Sequence, residues 1–312
     1  MNGGNVLDEN RIMIDTAIKE LDYRVNEIAR GLKTNKTMTI GVLIPCLENI
    51  FSTTIVSNIE DILLKNGYST IICDYKEDAG LEKQKMNFLV NKMVDGIIMV
   101  PLDSSSEEIN RITEKSIPIV LIDRLIKEAN CDCVLVDNLN ASYNAVEQLI
   151  TRGHKRIGII CGPDDIYTTQ ERLKGYIRVH EDYAMEVDQS LVKFGNYQIQ
   201  GGYDLLCEFM DGDEKPTAIF VTNYEMTLGV VIAINEKNIN VPDELSIIGF
   251  DNLQMARVVK PPLSLVVQPM QQIGETAANL MIRRLKGDMS NFPAIYRLKT
   301  EIQIRESVRK IN

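Results

Sequence analysis

With 312 residues, 45% hydrophobic and 25% charged, the chain is long enough to bury a full globular core and favours two domains over one. Its formal net charge of −10 excludes a body that is basic all over, as general nucleic-acid binding would need, and leaves room only for a local basic element. No apolar run reaches membrane-spanning length and no basic, apolar, small-residue succession opens the chain, so the cytoplasm is the expected location.

The chain opens with a polar helical pattern over about 8–21, then a short basic stretch that leads straight into an apolar strand. From Thr39 the pattern alternates. "TIGVLIP" (39–45) reads as a buried strand, residues 50–67 as an amphipathic helix stopped by Gly67, and "STIICD" (69–74) as the next strand. The series continues with a helix near 80–93, "DGIIMV" (95–100), a helix near 105–115, "IPIVLID" (117–123) and "CVLVD" (133–137). Short continuous apolar strands separated by helices predict a parallel sheet covered on both faces.

A second set of the same kind follows. Helices are expected over 138–152, 167–182, 197–210 and 225–237, between strands at 156–161, 191–195, 217–222 and 245–251. "KPPLSLVVQP" (260–269), with prolines near both ends, reads as an extended crossing linker, and a helix (271–286) and one strand (294–304) complete the chain. Two successive α/β sets predict two doubly wound domains whose ligand lies in the cleft at the strands' carboxyl ends.

Cofactor and catalytic signatures are missing: there is no phosphate-binding glycine loop, nucleophile elbow or zinc-protease helix, so neither an enzyme nor a cofactor is expected. The six cysteines (Cys46, Cys73, Cys131, Cys133, Cys161, Cys207) fall mostly in apolar runs, where a reduced cysteine behaves as a small hydrophobe. Cys131 and Cys133 could form half of a metal site. With only His154 and His180 as further partners and no second close cysteine pair, no metal is expected. His154, just before a strand, reads as a loop or capping residue.

Polar residues do stand at the strand ends: Asp123 and Arg124, Asp137 and Asn138, Asn223, and Asp251. Singly, each suits a helix cap or loop ion pair. Together with Arg172 they form a set of carboxylates, amides and a guanidinium able to hydrogen-bond the hydroxyls of a polyol.

Over essentially its whole length the sequence resembles the LacI/GalR family of transcription regulators. The motifs that carry the resemblance come in order: "IKELDYRVNEIARGLKTNKTMTIGVLIP", "ENIF", "DGIIMVP", "IPIVLIDR", "VLVDN", "RGHKRIGIICGP", "ERLKGY", "TNYEMTLG", "VPDELSIIGFDN" and "PPLSLVVQP". The resemblance implies an α/β fold of two doubly wound, periplasmic-binding-protein-like subdomains, preceded by a remnant of an α-helical DNA-binding headpiece with its hinge helix. The expected divisions are 1–37 for headpiece and hinge, 38–137 plus 267–293 for the first subdomain, and 138–266 plus 294–312 for the second.

Residues 1–37 hold six basic and six acidic side chains, so 38–312 carry the whole −10. Within that neutral preface, Asn26 to Lys33 matches the family's hinge helix, which implies DNA contacts by Asn26, Arg30 and Lys33 and a minor-groove wedge by Leu32. Read without the resemblance, Ile28 and Leu32 would simply pack on the preceding helix. The family's recognition helix is not matched, so the 312 residues alone are expected to bind operator DNA weakly or not at all.

The resemblance also implies effector contacts by Phe51, Asp123, Arg172, Asn223, Tyr224 and Asp251. Tyr224 stands where an acidic residue is usual. It implies an allosteric repressor, a homodimer formed through the helices at 50–66 and 80–93, and a small effector, expected to be a sugar. Two other readings stay open: an intracellular sugar-binding protein without DNA function, and a catabolite-control-type regulator that answers to a phosphorylated carrier protein.

Overall fold

The computed structural model describes residues 8–20, 31, 36–102, 104–251 and 253–311. Helix α1 (Asp8–Glu20) comes first. The hinge contacts expected at Asn26, Arg30, Leu32 and Lys33 lie outside the described residues.

Apart from its two edge strands, the first sheet is built from strands largely apolar on both faces. β1 (Thr39–Ile44), β2 (Ser69–Asp74), β3 (Gly96–Met99), β4 (Ile119–Ile122), β5 (Asp132–Val136) and β11 (Ile295–Leu298) lie in the order β11-β5-β4-β3-β1-β2, all parallel. Alternation decides which helix each strand residue meets. Ile40, Val42 and Ile44 pack on Ile55, Ile59 and Leu63 of α2 (Ile50–Lys65) and on Ala277 and Met281 of α10 (Met270–Leu285). Leu43 faces the other way, into a cluster with Met86 and Leu89 of α3 (Ala79–Asn91) and Ile109 of α4 (Ser106–Thr113).

The second sheet repeats the plan. β6 (Ile157–Cys161), β7 (Val192–Phe194), β8 (Ala218–Val221), β9 (Ser246–Phe250), β10 (Ser264–Val267) and β12 (Glu301–Gln303) lie in the order β12-β10-β9-β8-β6-β7. One face carries α5 (Asn138–Ile150) and α6 (Tyr167–Asp182), and the other α7 (Ile199–Asp211) and α8 (Tyr224–Glu236). The α7–α8 pair packs backbone to backbone: a Cβ on Gly229 would lie 1.8 Å from the carbonyl oxygen of Ile199, so only glycine fits there.

The strand order is the doubly wound pattern expected from the sequence, and α9 (Leu253–Val258) is an addition that the periodicity did not show. Among the described residues the chain passes between the sheets three times: after β5, after β10 and between β11 and β12.

Two expectations need correction. Residues 260–269 are not simply a linker, since Ser264–Val267 form β10, parallel to β9 and antiparallel to β12. The strand expected over 294–304 is two strands in two different sheets, so the last crossing falls at Lys299 and Thr300 rather than before residue 294. The cause is a buried polar clamp. Arg284 of α10 makes a bidentate pair with Asp132 of β5 (2.6 and 2.9 Å), and Asp132 also accepts the amide of Ala294 at 2.7 Å, drawing the chain to the first sheet before it leaves.

Among the described residues no helix is long and apolar enough to cross a membrane. His154 is a structural pin: its buried ring bridges the Thr217 hydroxyl (3.0 Å) and the Arg309 carbonyl (3.2 Å), fixing the C-terminal segment to the second sheet.

Candidate effector cleft

The carboxyl ends of both sheets open on one cavity of about 850 Å³. That volume suits a small polar ligand with its first waters. The six residues expected to contact an effector, Phe51, Asp123, Arg172, Asn223, Tyr224 and Asp251, all line it.

Asp123 and Asp251 occupy equivalent places in the two sheets, just after β4 and β9. Each adopts a left-handed backbone, with φ of 67° and 66°, a conformation that aspartate tolerates better than most side chains. Each amide bonds to the next strand across, Asp123 to the Val134 carbonyl at 2.9 Å and Asp251 to that of Val266 at 2.7 Å. The turn that ends the strand therefore places a carboxylate in the wall of the cleft.

Their surroundings differ. Asp251 is buried, and Gln268 donates through Nε2 to both of its oxygens, at 2.9 and 3.1 Å. Burial pushes its carboxyl up to about 7, against the opposing pull of Arg172 and of the Gln268 hydrogen bond. With its nitrogen turned to both carboxyl oxygens, the Gln268 amide leaves its Oε1 buried without a partner.

Arg172, buried on α6, donates through Nε to the Asn138 oxygen at 2.8 Å and through Nη1 to the Thr222 carbonyl. Its guanidinium carbon lies 3.9 Å from the centroid of the Phe250 ring, so it is held by stacking as well as by hydrogen bonds.

On the opposite wall Arg124 is also buried. It donates to the Pro101 carbonyl at 3.3 Å and lies 3.6 Å from Glu77, while its Nε, 3.9 Å from Asp123, has no hydrogen-bond partner. Among the described residues the cleft thus holds one orphan acceptor, on Gln268, and one orphan donor, on Arg124. A hydroxyl group can satisfy either.

The amino termini of two helices complete the polar lining. Asn49 caps α2, accepting the Ser52 amide at 3.0 Å, and Asn223 caps α8, accepting the Met226 amide at 3.2 Å. Three aromatic rings, Phe51, Tyr197 and Tyr224, line the same space. The Tyr197 hydroxyl lies 2.7 Å from that of Thr169 and 3.1 Å from that of Thr168, and its ring covers Gly162, where a Cβ would come within 2.1 Å of the ring. Six carboxylates line the cavity (Glu48, Asp74, Glu77, Asp123, Glu225, Asp251) against three cations (Lys76, Arg124, Arg172).

Asp137 and Asn138 do not line the cavity as their strand-end positions suggested. Asp137 caps α5, accepting the Asn140 amide at 3.3 Å, and Asn138 is buried as the partner of Arg172. Conversely, Tyr197 and Gln268 were not singled out from the sequence. Both follow the carboxyl ends of strands, β7 and β10, so the strand-end rule applied to them. Tyr197 falls at the start of the helix expected over 197–210, which begins only at Ile199, and the segment before Gln268 reads as a linker. The six cysteines are free thiols, burial pushing that of Cys131 up to about 12, and no metal-holding group occurs among the described residues.

Residues 37–300 match the family model described as periplasmic binding proteins and sugar binding domain of LacI family. The chain belongs to the LacI family. Its curated relatives include catabolite control protein A of Priestia megaterium, 33% identical over 99% of this chain and 93% of that protein. Another is the HTH-type transcriptional repressor PurR of Vibrio atlanticus, 29% identical over 98% of this chain and 92% of its own length. Among solved structures, a LacI family transcriptional regulator from Enterococcus faecium with bound ribose is 27% identical and superposes with a TM-score of 0.79, covering 88% of this chain and all of that one. These relatives are named as regulators rather than enzymes, and the two-sheet fold with its cleft is the LacI-family effector domain.

Proposed function

We propose that this LacI-family regulator is a repressor whose cleft binds an uncharged sugar, and that ligand-dependent closure of the two subdomains adjusts its hold on operator DNA. The observation that carries the reading is the pairing of carboxylates with spoken-for cations. Asp251, Asp123 and Asn223 offer acceptors and donors to hydroxyls, while Arg172 and Arg124 are each largely engaged by protein groups and keep only part of their donor set for a ligand. An anionic ligand would meet a surplus of carboxylates. Ribose in the Enterococcus faecium relative supports a small neutral sugar here.

The effector contacts in this reading are Phe51, Asp123, Arg172, Asn223, Tyr224 and Asp251, joined by Arg124, Tyr197 and Gln268. The aromatic rings cover the apolar faces of the sugar and the polar set fixes its hydroxyls. The protein acts as a homodimer in the cytoplasm, using the surface of α2 and α3, where Leu64 and Phe88 are exposed. Sedimentation of wild type and Phe88→Glu tests this, a dimer that the charge splits being the expected result.

A thermal-unfolding screen against pentoses, hexoses, disaccharides, their phosphates, nucleosides and purines tests the effector class. A ligand at 100 times its dissociation constant adds about 2.7 kcal/mol, a visible shift for a protein of this size. A neutral sugar that raises the midpoint supports the reading. A response confined to phosphates or purines overturns it.

A further inference from the structure

The N-cap residues of two helices, one on each wall of the cleft, share a single carboxylate. Asn49 of the first subdomain donates through Nδ2 to Glu225 Oε1 at 2.7 Å, and Asn223 of the second donates through Nδ2 to Glu225 Oε2 at 3.3 Å. Both amides are oriented by their capping bonds to Ser52 and Met226, so neither can turn away without uncapping its helix. Glu225 sits in the first turn of α8 and belongs to the second subdomain, so the bond to Asn49 spans the cleft. Two helix amino termini, each with partial positive charge, meet at this one anion.

We propose that Glu225 is a cross-cleft clasp, which holds the two walls together in the ligand-free protein through Asn49. The proposal shares the cleft with the effector reading but concerns closure in the absence of any ligand. No crossing segment makes this contact: Asn49 stands just after β1 and Glu225 just after β8, away from the three connections near β5, β10 and β11. The bond therefore acts at the open lip, where it has leverage on the angle between the subdomains. Glu225 is half-buried, and burial raises its carboxyl above the usual range while its Asn49 bond pulls it down. A charge-assisted bond of this kind is enough to shift an open–closed ratio about tenfold.

The clasp also bears on affinity. A cleft already closed on its own carboxylate needs less reorganisation to close on a sugar. Breaking it lowers the population of the binding-competent state, and the apparent affinity falls by the same factor.

The experiment measures the distance between spin labels on the two subdomains in ligand-free protein, for wild type, Glu225→Ala, Asn49→Asp and the double variant. Asn49→Asp keeps the oxygen that caps α2 while replacing the donor with a second carboxylate, and Glu225→Gln is the milder companion if Glu225→Ala folds poorly. The expected result is a shift to longer distances in both single variants, and less than the sum of the two in the double, since each breaks the same bond. Wild-type distances in both Glu225→Ala and Asn49→Asp overturn the clasp. Because no ligand is present, that outcome is independent of whether the effector is a sugar. Where a sugar binds wild type, its affinity for Glu225→Ala falls, by up to about tenfold.

Discussion

The two subdomains share strand order and helix placement, yet they furnish the cleft unequally. After β9, Asp251 is buried, gripped by Gln268 and set beside a stacked Arg172; after β4, Asp123 has the same backbone conformation but stands 3.9 Å from the nearest nitrogen of Arg124. The second wall is prearranged down to the orientation of an amide, whereas the first supplies a looser carboxylate and the Phe51 ring. The same fold, used twice, thus gives one wall suited to holding a ligand and another suited to closing over it. The edges differ too: β11 runs parallel to β5 and is anchored by Asp132, while β12 runs antiparallel to β10 and is followed by a tail pinned through Ser307 and His154.

The largest effect that would sharpen this contrast lies in the first subdomain. Arg284→Ala leaves Asp132 as an uncompensated buried carboxylate and should cost roughly 3–5 kcal/mol in urea unfolding. The first sheet should lose its β11 edge before the second sheet opens, which hydrogen exchange at Arg297 and Val266 can separate.

Next in size is Asp251→Asn. The folded-state carboxyl, near 7 rather than 3.8, binds a proton that the unfolded chain has released, so this group lowers stability as pH rises from about 4 to about 7. The cost above pH 7 is on the order of 4 kcal/mol. Asp251→Asn should therefore raise the unfolding midpoint at pH 8, flatten its fall between pH 5 and 7, and abolish effector binding. Asp123→Asn, at the more loosely held carboxylate, should weaken effector binding without abolishing it. Equal losses of effector affinity in the two variants would break the comparison.

The smallest effect concerns Tyr197. Tyr197→Phe removes the hydroxyl from Thr168 and Thr169 and should cost about 1 kcal/mol of stability with little loss of effector affinity. Tyr197→Ala should weaken sugar binding about tenfold, as expected for one lost aromatic wall. Isothermal titration of both variants distinguishes packing from contact.

Much of this architecture was legible in the sequence because buried parallel strands write themselves as unbroken apolar runs, with Asn49, Asp78, Ser105 and Asn223 capping the helices that follow. The strand-end polar set, with Arg172 beside it, came to one cleft at Asp123, Asn223 and Asp251, and Phe51 and Tyr224 followed from the family motifs. What stayed hidden depends on partners far along the chain. Asp132 draws Ala294 to the first sheet from 162 residues away, which splits one apparent strand in two. Gln268 looked like part of a linker until Asp251 fixed its amide, and Asp137, which stood at a strand end, turned out to serve its own helix. No local pattern could pair Asn49 with Glu225.

The central claim is that the prearranged second wall binds an uncharged sugar. Isothermal titration of the wild-type chain and of Arg172→Met with the neutral sugar that gives the largest thermal shift, and with that sugar's phosphate, tests it most directly. The account predicts saturable binding of the neutral sugar to wild type, loss of at least 100-fold or so in the variant, and no binding of the phosphate. Equal affinity of wild type and variant, or preference for the phosphate, would contradict it.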